Sequence, residues 1–553
     1  MTTVALDKDF TSQTKKLIDD LKSVCANYGL GNDGNEFKII TQVFLYKFLN
    51  DKFVYEIKQL DKNIAKAEHW EDALKALSED DLEMLMMQLS ESTARIRPDH
   101  FISSLFAKQN EANFADIFDT TLIDVARDNS DIFSVLTNGG EKIALFDKLS
   151  KYVTDDQDDF CKAIVNKLTG FSFEHIFNEK FDFYATIFEY LIKDYNTNSG
   201  GTYAEYFTPH AVSKIMARCL VPKQKEGAGG SNVSNVTCYD PSAGSGTLLM
   251  NLAHEIGEDK CTLYSQDISQ KSSSLLRLNL IINGLVHSIH NIVKGNTILE
   301  PYHKQASGEL ETFDYITSNP PFKLDFSDYS ADLESKENHD RFFAGVPNVP
   351  PKDKTKMAIY LMFLQHIIYS LKDKGKAAVV VPTGFITAQS GIDKKIRQKL
   401  IDEKMLAGVV SMPSNIFANT GTNVSILFID KTNKEDVVLI DASNLGETVK
   451  EGKNQKTVLT HAEEEQIINV FNNKDAVNDF SVVVSYDDIA EKNYSLSAGQ
   501  YFEVKIEYVD ITKEEFESKL RCTSESLEEF FSASKTLESE IQNQLSGIKY
   551  EHS

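Results

Sequence analysis

Residues 235–256, NVTCYDPSAGSGTLLMNLAHEI, decide the fold. Asn235 to Tyr239 is a short, β-prone run, Asp240 to Gly246 is a turn, and Thr247 to Ile256 carries helical spacing, so the segment reads strand, glycine turn, helix. Glycines at 244 and 246 permit positive φ and close backbone approach, and the first N–H groups of the helix can hold a carboxylate or another anion. Leu249 occupies the third glycine position of a dinucleotide fingerprint, and no G-x-x-x-x-G-K-[ST] stretch exists for ATP. The same turn would also serve a purely structural purpose.

Further β-rich runs follow at Thr262 to Ser265, Asn291 to Val293, Tyr315 to Thr317, Ala377 to Val381, Gly408 to Ser411 and Ser425 to Ile429, separated by helical patterns. That rhythm implies an α/β fold with a mostly parallel sheet and helices on both faces. Ligands in such sheets sit beyond the carboxyl ends of the strands. Upstream, apolar residues recur at helical spacing, as in Phe37, Ile40, Phe44 and Phe48. Residues 1–165 are therefore expected to form an all-helical N-terminal domain, 166–500 the α/β domain, and 501–553 a C-terminal helical tail. Thr512 and Glu515 form a capping box ahead of a long amphipathic pattern from Phe516 to Leu545. Residues 323–357 form a long polar insertion, free to close over a ligand or to move.

The 553 residues carry 58 Lys+Arg against 83 Asp+Glu, a net charge of -25. Such a chain is no general polycation for nucleic acid, so any phosphate contact must be local or come from a partner. A hydrophobic share of 41% and a charged share of 25% fit a folded globular chain. No signal-like N-terminus or membrane-length apolar run is present, and the six cysteines form no CxxC pair. Reduced thiols, a cytoplasmic location and no metal centre are expected.

Asp267 follows the second strand, where a carboxylate can accept from two ribose hydroxyls or can simply cap the next helix. Asn319-Pro320-Pro321-Phe322 follows the strand Tyr315 to Thr317. Successive prolines restrict the backbone and make a stiff turn. It can direct the Asn319 carboxamide oxygen and the Pro320 carbonyl at one point, with the Phe322 ring alongside. Two acceptors on the two N–H bonds of a base amine favour a pyramidal nitrogen and free its lone pair. Asn296 could contact the adenine edge of a nucleoside cofactor or merely shape a turn. Glu205-Tyr206-Phe207-Thr208-Pro209, ahead of a helix, suits an amino-acid carboxylate or an ordinary helix start.

In that order, AEYFTP (204–209), DPSAGSG (240–246), Asp267 and NPPF (319–322) resemble the motifs of the DNA amino-methyltransferases. More closely, the chain is similar to the modification subunits of type I restriction-modification systems, which methylate adenine N6 using S-adenosylmethionine. Asp340-Arg341, residues 364–382, the segment from Asn415 to Asn423, and Tyr494-Ser495-Leu496 add to the likeness. The resemblance implies a Rossmann-like methyltransferase sheet. Glu205, Tyr206, Phe207, Thr208, Pro209 and His210, with Asp240, Ser242, Ala243, Gly244, Ser245 and Gly246, would bind the cofactor, chiefly its methionine part. Asp267 would take the ribose, and Asn296 would lie near the base. Asn319, Pro320, Pro321 and Phe322 would form the catalytic corner, with Phe322 stacked on a flipped adenine in duplex DNA.

The implied partners are DNA, a separate specificity subunit, a second modification subunit and a restriction subunit with nuclease and translocase activity. The sequence departs from the pattern at Asn296, where the family often has an acidic residue, and at Met357, often polar. The diproline corner alone would also suit RNA guanine, cytosine N4 or a glutamine amide, although cytosine N4 enzymes more often carry Ser in place of Asn319. A non-catalytic assembly platform with the same fold is the remaining alternative.

Overall fold

The computed structural model describes residues 3–31, 34–174, 177, 187, 190, 208–221, 234–417, 423–451, 454–502 and 511–546. An eleven-stranded sheet is built from β1 (Val135–Thr137), β2 (Lys142–Ile143), β3 (Val236–Asp240), β4 (Cys261–Asp267), β5 (Ile292–Lys294), β6 (Phe313–Ser318), β7 (Leu371–Pro382), β8 (Leu406–Ser411), β9 (Val424–Asp430), β10 (Val437–Asp441) and β13 (Ser481–Val484). A separate hairpin pairs β11 (Glu447–Glu451) with β12 (Asn454–Val458). All seven strands read from the sequence are present.

The sheet order is β13-β10-β8-β9-β7-β6-β3-β4-β5-β1-β2. β3 pairs in parallel with both β4 and β6, β4 with β5, and β6 with β7. β9 runs antiparallel between β7 and β8. The chain thus builds outward from β3 toward β5, then restarts on β3's other side with β6. The order reverses at the carboxyl ends of β3 and β6, which is where an open α/β sheet holds its ligand crevice. DPSAGSG and NPPF leave the sheet at those two ends.

The central strands are apolar because both faces are covered. Ala377 to Val381 of β7 are all fully buried, as expected of a strand between helical layers. Alternate residues Ala378 and Val380 share one core with the helices His210–Leu220, Thr247–Ile256 and His461–Asn473.

The expectation of an all-helical N-terminal domain needs one correction. β1 and β2 form a hairpin within it, and β1 joins the main sheet in parallel beside β5. Arg277, on the helix Gln270–Ile282, reinforces this junction by donating to the carbonyls of Phe133 (3.3 Å), Ile143 (2.9 Å) and Leu145 (3.4 Å). Residues 1–501 form one compact unit and 502–553 a second. The second contains the helix Lys513–Ser546, opened by the Thr512–Glu515 capping box and without a buried residue.

The insertion 323–357 has a small core of its own. Phe326, Leu333, Phe342 and Met357 pack with Ile298 and with Ile359, Met362 and Phe363. Met357, 2% exposed, is apolar because it completes that core.

Among the described residues no helix is long and apolar enough to cross a membrane, and all six cysteines are unpaired.

Candidate active site

The glycine turn is fixed from both sides. Gly244 and Gly246 take positive φ of 53° and 82°, and Gly246 N–H closes the turn on the Ala243 carbonyl at 2.8 Å. A Cβ on Gly246 would lie 2.1 Å from Leu276 Cδ1, so the turn presses directly on the helix after β4. The Ser245 carbonyl accepts from Asn279 of that helix at 3.2 Å, and its hydroxyl meets Thr247 at 3.1 Å. Ala243 and Ser245 are buried.

Asp267, at the tip of β4, accepts the Gly244 N–H on one oxygen at 3.0 Å and the Ser269 N–H on the other at 2.8 Å. Asp267 thus ties the glycine turn to the entry of the next helix, whose N-cap is Ser269 rather than Asp267. A carboxylate oxygen has capacity beyond one N–H, which leaves Asp267 able to accept ribose hydroxyls. Burial raises its carboxyl above the usual range, and the two N–H donors oppose that rise.

Asp240 is 1% exposed. Its Oδ1 accepts the Ser242 N–H at 2.9 Å, while the buried Oδ2 has no hydrogen-bond partner among the described residues. Burial, with a smaller contribution from nearby Asp267, pushes its carboxyl up to about 8. A buried acidic oxygen beside a glycine turn is an acceptor that a cationic amino-acid end could satisfy with an N–H donor.

The diproline corner meets this turn. Ser318, the last residue of β6, shares a 2.7 Å hydrogen bond with the Ser242 hydroxyl. Asn319 follows, and its Nδ2 donates to Thr208 Oγ1 at 3.3 Å. With the nitrogen turned to Thr208, Oδ1 has no hydrogen bond among the described residues. Pro320 is buried and Pro321 exposed. Phe322 is half-buried and lies edge-on to Tyr360, with centroids 6.2 Å apart. The Tyr360 hydroxyl donates to Asp393 at 2.6 Å.

Thr208 and Pro209 precede the helix His210–Leu220. Ser213 on that helix accepts from Asn251 Nδ2 at 3.1 Å, which ties it to the helix after the glycine turn. Hydrogen bonds Thr208–Asn319, Ser318–Ser242, Ser242–Asp240 and Gly244–Asp267 thus tie these segments together. Glu205, Tyr206 and Phe207 lie outside the described residues. Asn296 uses its Oδ1 to accept the N–H groups of Ile298 and Leu299, both at 3.1 Å, so it shapes the turn after β5.

Sequence reasoning missed Thr297 and Ser318. Thr297 donates to the Pro241 carbonyl at 2.7 Å and approaches the Gln266 carbonyl at 3.3 Å, joining the loops after β3 and β5 to the end of β4. Both residues immediately neighbour positions already singled out, and adjacency was the available signal. Among the described residues no cluster of His, Cys, Asp and Glu could hold a metal ion.

The family N-6 DNA Methylase matches residues 179–509. The type I restriction enzyme MpnII methylase subunit of Mycoplasma pneumoniae is 29% identical over 397 residues, covering 70% of this chain and 68% of that one. The MjaIX methylase subunit of Methanocaldococcus jannaschii is 28% identical over 407 residues, with coverages of 70% and 67%. Among solved structures, the methyltransferase subunit of a type I restriction-modification system from Streptococcus thermophilus superposes with a TM-score of 0.69 at 22% identity, over 89% of this chain and 100% of that one. At that identity the likeness is one of fold.

Proposed function

Because the chain belongs to the N-6 DNA Methylase family, we propose that it methylates N6 of adenine in duplex DNA as the modification subunit of a type I restriction-modification complex. The observation that carries this reading is the 2.7 Å contact between Ser242 and Ser318. It joins the glycine turn to the strand end that leads into the diproline corner, which supports reading the two as one site.

S-adenosylmethionine, the proposed cofactor, supplies an electrophilic methyl group. Asp267 suits the ribose hydroxyls, and Asp240 Oδ2 with the Ser242–Gly246 turn and the Thr208–His210 helix start suits the amino-acid end. Asn319 Oδ1 and the Pro320 carbonyl would accept the two N6–H bonds of a flipped adenine. Those hydrogen bonds strengthen as the amine pyramidalises, so they stabilise the transition state more than the ground state. The Phe322 ring, braced by Tyr360, would stack on the base. No cysteine lies in the crevice motifs, in keeping with direct transfer.

DNA reading falls to a specificity subunit, with a second copy of this chain and a restriction subunit completing the assembly. The acidic net charge of -25 favours this division, since a partner must supply most phosphate contacts. Phe516, Leu520, Leu527 and Phe531 on the C-terminal helix are 48–65% exposed, a seam suited to a partner helix. A cytoplasmic location fits that role.

Asn319→Ala in the reconstituted complex should lower methylation by about 10²–10³-fold, the usual loss for one preorganised polar group, while calorimetry still detects cofactor binding. Full activity of that variant would remove Asn319 from catalysis. Mass spectrometry of the methylated nucleosides distinguishes adenine N6 from other planar amines.

A further inference from the structure

Arg341 belongs to the polar insertion yet is only 4% exposed. Its two terminal nitrogens donate to the consecutive carbonyls of Thr297 and Ile298, each at 2.8 Å. Its Nε donates to His366 Nδ1 at 3.1 Å, and its planar group lies 4.5 Å from the centre of the Phe342 ring. No carboxylate pairs with it among the described residues. Desolvating an unpaired guanidinium is costly, and a Met of similar volume would fill the space more favourably. Stability alone therefore gives a poor reason for an arginine here.

The partners it holds give a better one. Thr297 and Ile298 form the loop after β5, beside the end of β4 that carries Asp267, the proposed ribose ligand. From that loop the Thr297 hydroxyl reaches the Pro241 carbonyl of the glycine turn. From His366, Nε2 reaches the Tyr239 hydroxyl at 3.2 Å, and Tyr239 immediately precedes Asp240. The Arg341 Nε–H can only donate, so His366 Nδ1 is the acceptor, and burial lowers the imidazole's pKa in the same direction. The insertion starts next to Phe322, so one folded segment touches both the catalytic corner and the nucleoside side.

We infer that Arg341 is a positioning residue for cofactor binding, holding the 295–299 loop against the glycine turn and anchoring the insertion as a fixed wall of the crevice. This rests on the methyltransferase reading above. A lysine cannot reproduce the planar fork that spans two adjacent carbonyls.

The test uses the full-length chain with its partner subunits. Arg341→Lys should weaken S-adenosylmethionine binding by about 10-fold or more, the scale of one hydrogen bond from a charged group. Its kcat at saturating cofactor should stay within about threefold of wild type. Thr297→Val should act in the same direction, Thr297→Ser should restore affinity, and the Arg341→Lys/Thr297→Val double variant should lose less than the product of the single losses. Unchanged cofactor affinity in folded Arg341→Lys, or a fall in kcat alone, would overturn the inference. Should Arg341→Lys fail to fold, the Thr297→Val and Thr297→Ser pair decides, and equal affinities for those two would overturn it. Wild-type protein that binds no S-adenosylmethionine would instead defeat the methyltransferase reading on which this one depends.

Discussion

Gly246→Ala tests whether the glycine turn is shaped by its contact with the following helix. Two costs follow from the structure. Gly246 has φ of 82°, and an L-residue in that region costs about 1–2 kcal/mol. The new methyl would also lie 2.1 Å from Leu276 Cδ1. Leu276 is 1% exposed, so it can yield only by displacing other core atoms, at a cost of about 1–3 kcal/mol. Together the two come to roughly 2–5 kcal/mol. The 501-residue body Met1–Tyr501, at about 2.1 cal/mol/K per residue, has an unfolding entropy near 1 kcal/mol/K, so calorimetry should show its midpoint lowered by about 2–5 °C. Leu276→Ala separates the two costs. In that background the clash is gone and Gly246→Ala should cost only the backbone share, about 1–2 kcal/mol. An equal increment in both backgrounds, or a shift below about 1 °C in the wild-type background, would refute the packing argument.

Asp240, pushed up to about 8 from an ordinary 3.8, keeps in the fold a proton that the unfolded chain has released. Its contribution to stability is therefore complete at low pH and declines as pH rises through that window, by at most about 1.4 kcal/mol per unit. Asp240→Asn should remove this decline, so the variant's midpoint should gain on wild type between pH 5 and pH 8, and a constant difference would contradict the assignment. Leu527→Glu combined with Phe531→Glu should abolish co-purification with the specificity subunit while leaving the melting of the 1–501 body unchanged; retained association would show that the exposed seam is not the docking face.

The central sheet was legible because buried parallel strands are written as apolar runs. Cys238-Tyr239 and Ala377 to Val381 need no partner context to be recognised, and each strand-end motif follows its strand directly. The β1–β2 hairpin was obscured by its helical surroundings, although Asn138-Gly139-Gly140 is a hairpin signal that could have been read. Gly140 does take φ of 79° there. β10, with the sequence VVLID, was missed because a five-residue apolar run is as compatible with a buried helix segment. At the site, Asn319 and Asp267 were readable from type and position. The Ser242–Ser318 and Thr297–Pro241 contacts were not, because they join residues 76 and 56 positions apart through small hydroxyls that have no periodicity.

Three buried arginines show how peripheral segments are fastened to this sheet. Arg277 donates to carbonyls of the N-terminal hairpin region. Arg341 does the same for the loop after β5. Arg397, fully buried, holds the carbonyls of Phe385, Ala388 and Tyr494. Leu496, beside that last carbonyl, donates its N–H to Ile386 at 2.9 Å, which docks the Tyr494-Ser495-Leu496 segment. Irregular loops leave carbonyls without strand or helix partners, and burying them unpaired is costly. A guanidinium satisfies two or three at once in a fixed plane, so it sets loop geometry as well as meeting hydrogen-bonding demand. Neutral isosteres at these three positions should therefore differ in consequence, according to what the held loop touches. Arg341 alone among them holds a loop that reaches the glycine turn through a single hydroxyl. Substitution there should register in cofactor affinity, whereas substitution of Arg277 or Arg397 should register first in the melting profile.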